Sequence, residues 1–373
     1  MRRVAYIIPK WFPWLCQEWQ RWSSPLIFTL LVGLLALFAS PLHASSPVGT
    51  IEKGSGANYY MSKKGKQWSV VKKGQSLFKG DRVKTGTDGR MEIGMEDGSR
   101  LTLGNETELE ITQFLVGRHK RKGRIALVKG KLRTSITRFS GRTDIRVKTP
   151  TGVAGVKGTE FMVMNQGKAN IFFGTEGQTG VMGNKGEEVS LRPDTMTENT
   201  RGHAPIEPVG IEPGTPLAHA RDHLAAVTDV DAPVEWKEAG NLPIILARWN
   251  IKYGHYLADS GRYEDALEVF QIAADLTERA EVKAEAHLER GTVYSRNMGL
   301  MKKAMDEYLT VIRDYPKLPH VENALYSAGM ISMETGDKRQ AKSLFERYLR
   351  EYPSGMHAST IKLLLEELDG RGE

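Results

Sequence analysis

Glu106, Glu108 and Glu110 are spaced two apart in the stretch NETELEI. Paired carboxylates can divide acid and base roles, and alternation at period two puts all three on one side of a strand. Leu109 and Ile111 alternate with Glu110, so the same spacing also reads as the wet face of an antiparallel sheet. His219 and His223 lie four apart around Asp222, which would set two imidazoles on one helix face for a metal. No third ligand stands near them, and the pair reads as part of a solvated helix. The stretch KTPTGVAGVKGTEF at 148–161 holds Pro150, Gly152, Gly155 and Gly158, a density that invites comparison with a phosphate cradle. A cradle needs N–H groups at a helix start, and a nucleotide loop needs Lys-Ser/Thr after its last glycine. Gly158 is followed by the strand-like TEFMVMN instead. These residues therefore read as backbone devices: Pro150 sets a turn, Gly152 permits positive φ, and Gly155 and Gly158 let strands approach or bulge.

No GxSxG, HExxH, Walker or Rossmann pattern occurs. The reading is non-enzymatic, with no catalytic residue, no cofactor and no metal. A cell-wall-acting enzyme of unknown type is carried as a second alternative, without a mechanism.

Charge is unevenly spread. Residues 118–148 hold twelve lysines and arginines against Asp144 alone, while the whole chain carries a formal charge of +7. Within that block Arg121, Lys122, Arg124, Lys129, Lys131 and Arg133 form a candidate face for an anionic partner. No aromatic residues interleave them, which argues against nucleic acid. An anionic envelope polymer such as peptidoglycan or lipopolysaccharide is the expected partner, with a plain solvated surface as the other reading.

The N-terminal composition sets the compartment. Residues 1–24 are basic, LIFTLLVGLLALFA follows at 26–39, and Ala44 stands at a possible cleavage point. Fourteen apolar residues rise only about 21 Å as a helix, short of the roughly 30 Å hydrocarbon core. Residues 1–44 therefore read as a signal peptide, with an uncleaved anchor as the alternative that would give membrane contact. Cys16 is the single cysteine, so cleavage leaves no thiol for a disulfide or a nucleophile. The expected location is the periplasm of a Gram-negative bacterium.

These residues need elements to hold them. From 48 to 198 short apolar runs alternate with turn dipeptides such as Gly80-Asp81, Asp88-Gly89 and Asp97-Gly98, the spacing of short antiparallel strands. Met91, Ile93 and Met95 alternate with polar or small neighbours, which predicts half-buried strands, and the same pattern is read into EFMVMN and NIFFG. Residues 199–243 read as a Pro/Gly-rich linker with one short helix over 217–227. After Pro243 the period becomes helical.

Three segments in that last part align. Gly254, Ala266 and Phe270 recur as Gly291, Ala304 and Tyr308, then as Gly329, Ala341 and Phe345. A small residue sits where paired helices approach, and an aromatic follows the alanine by four. This resembles tetratricopeptide (TPR) repeats, in the lengthened form of periplasmic envelope proteins of the Tol–Pal-associated type. It covers 244–369 as three repeats and a cap helix. The second repeat carries one extra residue near Met298-Gly299, which leaves its inter-helix turn open. The resemblance implies a groove that grips a protein partner.

The stretch opening at Lys148 is similar to a FecR domain. Thr149, Pro150, Gly152, Gly158, Thr159, Glu160 and Phe161 match its TP-G…G-TEF element, and Asp97 and Gly98 match its upstream DGS. That resemblance implies a periplasmic, non-enzymatic interaction domain whose founding members relay receptor occupancy to a sigma factor. Only about 24 residues precede the apolar run here, too few for a sigma-binding domain, so that role is not carried over. The expected architecture is multidomain β plus α: a FecR-like all-β domain, an antiparallel sandwich or short β-solenoid, followed by an α-helical TPR solenoid. The expected function is an exported scaffold, with a periplasmic relay to a membrane sensor as the alternative.

Overall fold

In the computed structural model residues 46–156, 159–232 and 242–370 are described. The segment expected to direct export, 1–44, and the motif residue Gly158 lie outside the described residues. Among the described residues, no helix is long and apolar enough to cross a membrane.

Among the described residues seventeen strands form two layers that share one of them, Lys120–Ser135. Its first half pairs with Glu108–Val116 in one layer, and its second half pairs with Arg100–Leu103 and Glu160–Asn165 in the other. Sixteen residues in a straight strand would span about 53 Å, yet the next strand, Arg142–Lys148, begins beside Lys120 after six residues that reach roughly 20 Å at most. The strand must therefore fold over the sandwich. It does so at Gly130, whose φ of 101° belongs to glycine, and a β-carbon there would collide with the Thr107 backbone. This return makes Arg142–Lys148 run parallel to Lys120–Ala126, the one parallel pair in an otherwise antiparallel sheet system among the described residues.

The inner faces meet in a core that includes Met91, Ile93, Leu101, Leu109, Ile125, Leu132, Phe161, Val163 and Phe172. A second core lies on the other face of the layer holding Glu160–Asn165 and Ala169–Glu176. There Met162, Met164, Ile171, Phe173 and Met196 pack with helical residues. Those strands are covered on both sides, so EFMVMN and NIFFG are unbroken apolar runs rather than half-buried alternations.

Among the described residues eight α-helices follow the strands: α1 Pro216–Val227, α2 Leu242–Asp259, α3 Tyr263–Leu276, α4 Ala280–Thr292, α5 Met301–Asp314, α6 His320–Glu334, α7 Lys338–Glu351 and α8 Ala358–Leu368. The described part of the segment read as a linker, residues 199–232, is packed structure. Val209–Gly210 pairs with Thr195 and Met196, and Ile206 and Ile211 are buried with Leu217, Ala220, Leu224 and Val227 of α1. Proline and glycine shape its turns, but its apolar stripe, at helical spacing, finds the exposed side of the sheet.

In each repeat the glycine of the first helix meets the aromatic of the second. A β-carbon on Gly254 would lie 2.5 Å from the Phe270 ring, and one on Gly291 would lie 2.6 Å from Tyr308. Gly329 stands as close to Phe345. Ala266, Ala304 and Ala341 are fully buried. The first helices turn at Gly261, Gly299 and Gly336, with φ of 79°, 66° and 83°. Gly291 and Gly299 are eight apart where the other two pairs are seven apart. The extra residue is absorbed as a π-helical turn, Val293–Asn297, with Met298 N–H donating to the Val293 carbonyl at 3.2 Å. The turn at Gly299 keeps its geometry.

Candidate functional site

The motif residues fall into anchoring positions. Thr149 N–H and Oγ1 both donate to the Gly152 carbonyl, at 2.8 and 3.0 Å, and Gly152 N–H returns a bond to Thr149 Oγ1 at 2.9 Å. Asn170 Nδ2 donates to Thr149 Oγ1 at 2.7 Å, and Asn199 Nδ2 donates to the Thr151 carbonyl at 2.7 Å. This buried polar knot fixes the turn at Pro150 against neighbouring strands. Thr159 reaches Thr179 at 3.2 Å, and Phe161 is wholly buried beside Phe172. Glu160 accepts from Arg133 Nε and Nη2 at 3.0 and 2.6 Å. Gly98 turns at a φ of 79°, which lets Asp97 Oδ1 cap Ser99 N–H at 2.9 Å. The described motif residues thus bond and pack within the β domain.

The candidate anionic-partner face does not survive as one surface. Arg121 is 1% exposed, with Nη1 2.7 Å from Asp97 Oδ2 and further bonds to Thr137 and Thr143. Its position was legible: Ile125 and Leu127 face the core, and Arg121 shares their parity. Lys131 is 4% exposed, beneath the end of α1, and burial lowers its ammonium from the usual range while Nζ reaches Asn105 Oδ1 at 3.1 Å. Arg133 is committed to Glu160. Lys122, Arg124 and Lys129 remain accessible, but Lys129 stands apart at the corner.

A different cationic row exists on the outer face. Register places Lys120, Lys122 and Arg124 beside Arg142, Asp144 and Arg146. Arg124 donates to Asp144 Oδ2 at 2.6 Å and Arg146 to Oδ1 at 3.1 Å. These bonds, Arg124's first, hold the Asp144 carboxyl below its usual range. Next to them opens a cleft of about 530 Å³ whose floor is Gly155 and Gly180, paired across adjacent strands. Val153, Met182, Gln178 and Ser190 complete it. Sequence reading assigned Gly155 to the fold and missed the space it leaves.

The carboxylate and histidine clusters hold no such site. Glu106 precedes the strand Glu108–Val116 at a φ of 53°, so it does not line that strand with its neighbours, and Glu108 is bound to Arg82. His219 is exposed on α1, and among the described residues no group of three His, Cys, Asp or Glu could hold a metal.

The strands and the first repeats are joined by polar contacts as well as by their core. Asn250 of α2 donates to Glu198 Oε2 at 3.0 Å, and Thr200 bonds Asp275 of α3. Gln271 then donates to Asp275 at 3.1 Å and accepts from Arg290, whose Nη2 lies 2.9 Å from Glu307 of α5. Burial pushes Glu198 up to about 8 and Glu268, beside it, up to about 7.

Residues 81–178 match the family FecR protein, and residues 252–319 and 323–355 match two tetratricopeptide repeat families. The chain thus carries a FecR domain followed by TPR repeats, and neither is an enzymatic family. No curated protein matches it. Among solved structures it is similar to a candidate anti-sigma factor from Parabacteroides distasonis, at 15% identity and a TM-score of 0.30, over 35% of this chain and 60% of that one. It is also similar to PcrH from Pseudomonas aeruginosa, at 19% identity and a TM-score of 0.28, over 33% of this chain and 91% of that one.

Proposed function

We propose that this chain is an exported interaction protein of the cell envelope, in which the FecR domain takes a ligand and the repeats take a protein partner. One observation carries the reading: between the sandwich core and the core of the later repeats, a third core is shared by the two modules. Met162, Met164, Phe173 and Met196 of the sheet pack with Leu224, Leu246 and Phe270 of the helices. A jointed pair of domains would keep separate cores and a wet interface. A shared core fixes the ligand-bearing sheet relative to the repeats, which suits a scaffold that holds two components in one geometry.

Met330 is exposed on α6, next to the packed Gly329, and Val70 is exposed on the β domain. A photo-crosslinking residue at Met330 in the full chain should capture one defined partner in its native envelope, and one at Val70 should not capture that partner. Equal capture at both positions, or none at Met330, overturns the repeat-borne interaction. Intact mass of envelope-fraction protein tests the export segment, with loss of residues 1–44 expected.

A relay to a membrane sensor is the second reading. The hydrogen-bonded path from Thr200 through Asp275, Gln271 and Arg290 to Glu307 favours it, since it links a strand to two repeats. Such a path couples sites only if it has two arrangements. Ligand addition to the β domain should then change hydrogen exchange in α4 and α5, and unchanged exchange there leaves the scaffold.

A further inference from the structure

Among the described residues the glycine-floored cleft is one of two large recesses on this face; the other, of about 520 Å³, is lined by Phe139, Gly141 and Arg142 and shares Asp144 and Arg146 with it. Gly155 and Gly180 face each other across two strands in the middle of a sheet, where side chains usually cover the surface. A β-carbon on Gly155 would find only the Gly180 carbonyl, at 3.8 Å, so packing does not require glycine there. Gly155 carries no positive φ either. The register row Arg146, Gly155, Gly180, Ser190 crosses four strands, about 14 Å at roughly 4.8 Å per strand. Arg146 stands at one end of the floor, and the Glu188 carboxylate rests over Gly180 at the other.

The lining selects a ligand by its chemistry. A polyphosphate or a nucleic acid strand would bring a charge at every unit against Asp144 and Glu188, and the glycine floor itself carries no aromatic for a base to stack on, Phe139 standing with Arg142 in the adjoining recess. A neutral ligand would leave the row of Arg146, Arg142 and Lys122 unused. A molecule with both hydroxyl donors and carboxylates satisfies both: hydroxyls donate to Asp144 and Glu188, carboxylates accept from the arginines, and a sugar face lies on the open backbone of Gly155 beside Val153 and Met182, Gly180 being covered by Glu188. The volume falls within the roughly 300–1,000 Å³ of small-ligand sites.

We propose that the outer face of the FecR domain binds a carboxylate-bearing oligosaccharide across Gly155 and Gly180, with Arg146 and Arg142 holding its acid groups. This rests on the reading that the β domain takes a ligand, and it names the class.

The full chain is titrated calorimetrically with trigalacturonate, a hyaluronan tetrasaccharide and sialyllactose, beside the methyl ester of trigalacturonate and a single-stranded oligonucleotide. At least one acidic sugar should bind, and for trigalacturonate the ester should bind about tenfold more weakly, the loss expected of one charge-assisted bond. Gly155→Val fills the floor with a strand-favouring residue and should weaken binding by at least about tenfold, as pocket methylenes do, while its unfolding temperature stays at or above the parent's. Arg146→Gln should weaken binding and reduce its salt dependence. Absence of binding to all three acidic sugars, unaltered binding by Gly155→Val, or equal binding of the oligonucleotide each overturns the proposal. Capture at Met330 is independent of the cleft, so its persistence alongside failed titrations would remove this ligand class alone.

Discussion

Gly291 presses its bare Cα against Tyr308, so closely that a β-carbon would lie 2.6 Å from the ring. The same contact holds Gly254 to Phe270. An alanine in a helix ordinarily gains about 1 kcal/mol over glycine. Here the added methyl must displace a buried ring, at about 1–3 kcal/mol. Gly291→Ala should therefore be net destabilising by up to about 2 kcal/mol, seen as a lower midpoint in chemical denaturation. A midpoint that rises would mean that the two helices are not in this contact.

Arg121 and Asp97 make an ion pair with both side chains under 5% exposed. Removing one partner strands the other charge in the core, at about 3–5 kcal/mol. Arg121→Gln should lose that much stability, whereas Lys120→Gln, one residue away on the exposed side, should stay within about 0.5 kcal/mol. Equal effects at the two positions would return Arg121 to the surface.

Parity explains what could be read beforehand and what could not. Alternation through Ile125 and Leu127 carries Arg121 inward, although the charge run makes it read as part of an exposed face, and the three glycine–aromatic pairs gave the repeats because each position recurs in register. The turn dipeptides gave the strands for the same local reason. What escaped depends on contacts far apart in the chain. Met162 and Met164 look like surplus apolar residues until α1, α2 and α3 cover that face. Ile206 and Ile211 look like linker residues until the sheet receives them. The parallel pairing of Arg142–Lys148 follows from the fold-over at Gly130, which no local pattern announces. The cleft escaped because Gly155 was assigned a strand-crossing role, and only its open surroundings show that it has none.

That fold-over makes its own prediction. Gly130→Ala puts a side chain at a φ of 101° and into the Thr107 backbone. Strain of this kind costs on the order of 1–3 kcal/mol before the collision is counted. The variant should lose at least about 2 kcal/mol, while Gly210→Ala, with nothing within 4 Å and no positive φ, should be near neutral. A stable Gly130→Ala protein would show that the shared strand does not bend there.

Glu198 is buried between the sheet and α2, with Asn250 donating to it and Glu268 near. Burial is the main cause of its rise to about 8, the charge on Glu268 adds, and the Asn250 bond works the other way. A carboxyl raised above its unfolded value of about 4.5 keeps its proton in the folded state after the unfolded chain has lost it. The folded state then binds more protons between about 4.5 and 8, so stability falls as pH rises through that window and levels off above it. Glu268, raised to about 7 by burial and then by Asp265, acts with the same sign. A tenfold difference in proton affinity between the folded and unfolded chain is worth about 1.4 kcal/mol, so the slope should be easy to measure by denaturation at pH 5, 6.5 and 8. Glu198→Gln keeps the size and removes the titration. It should flatten most of the slope and make the protein more stable than the parent at pH 8. Parallel pH profiles for the two proteins would mean that Glu198 is solvated, and that the strands and the repeats are not closed over it.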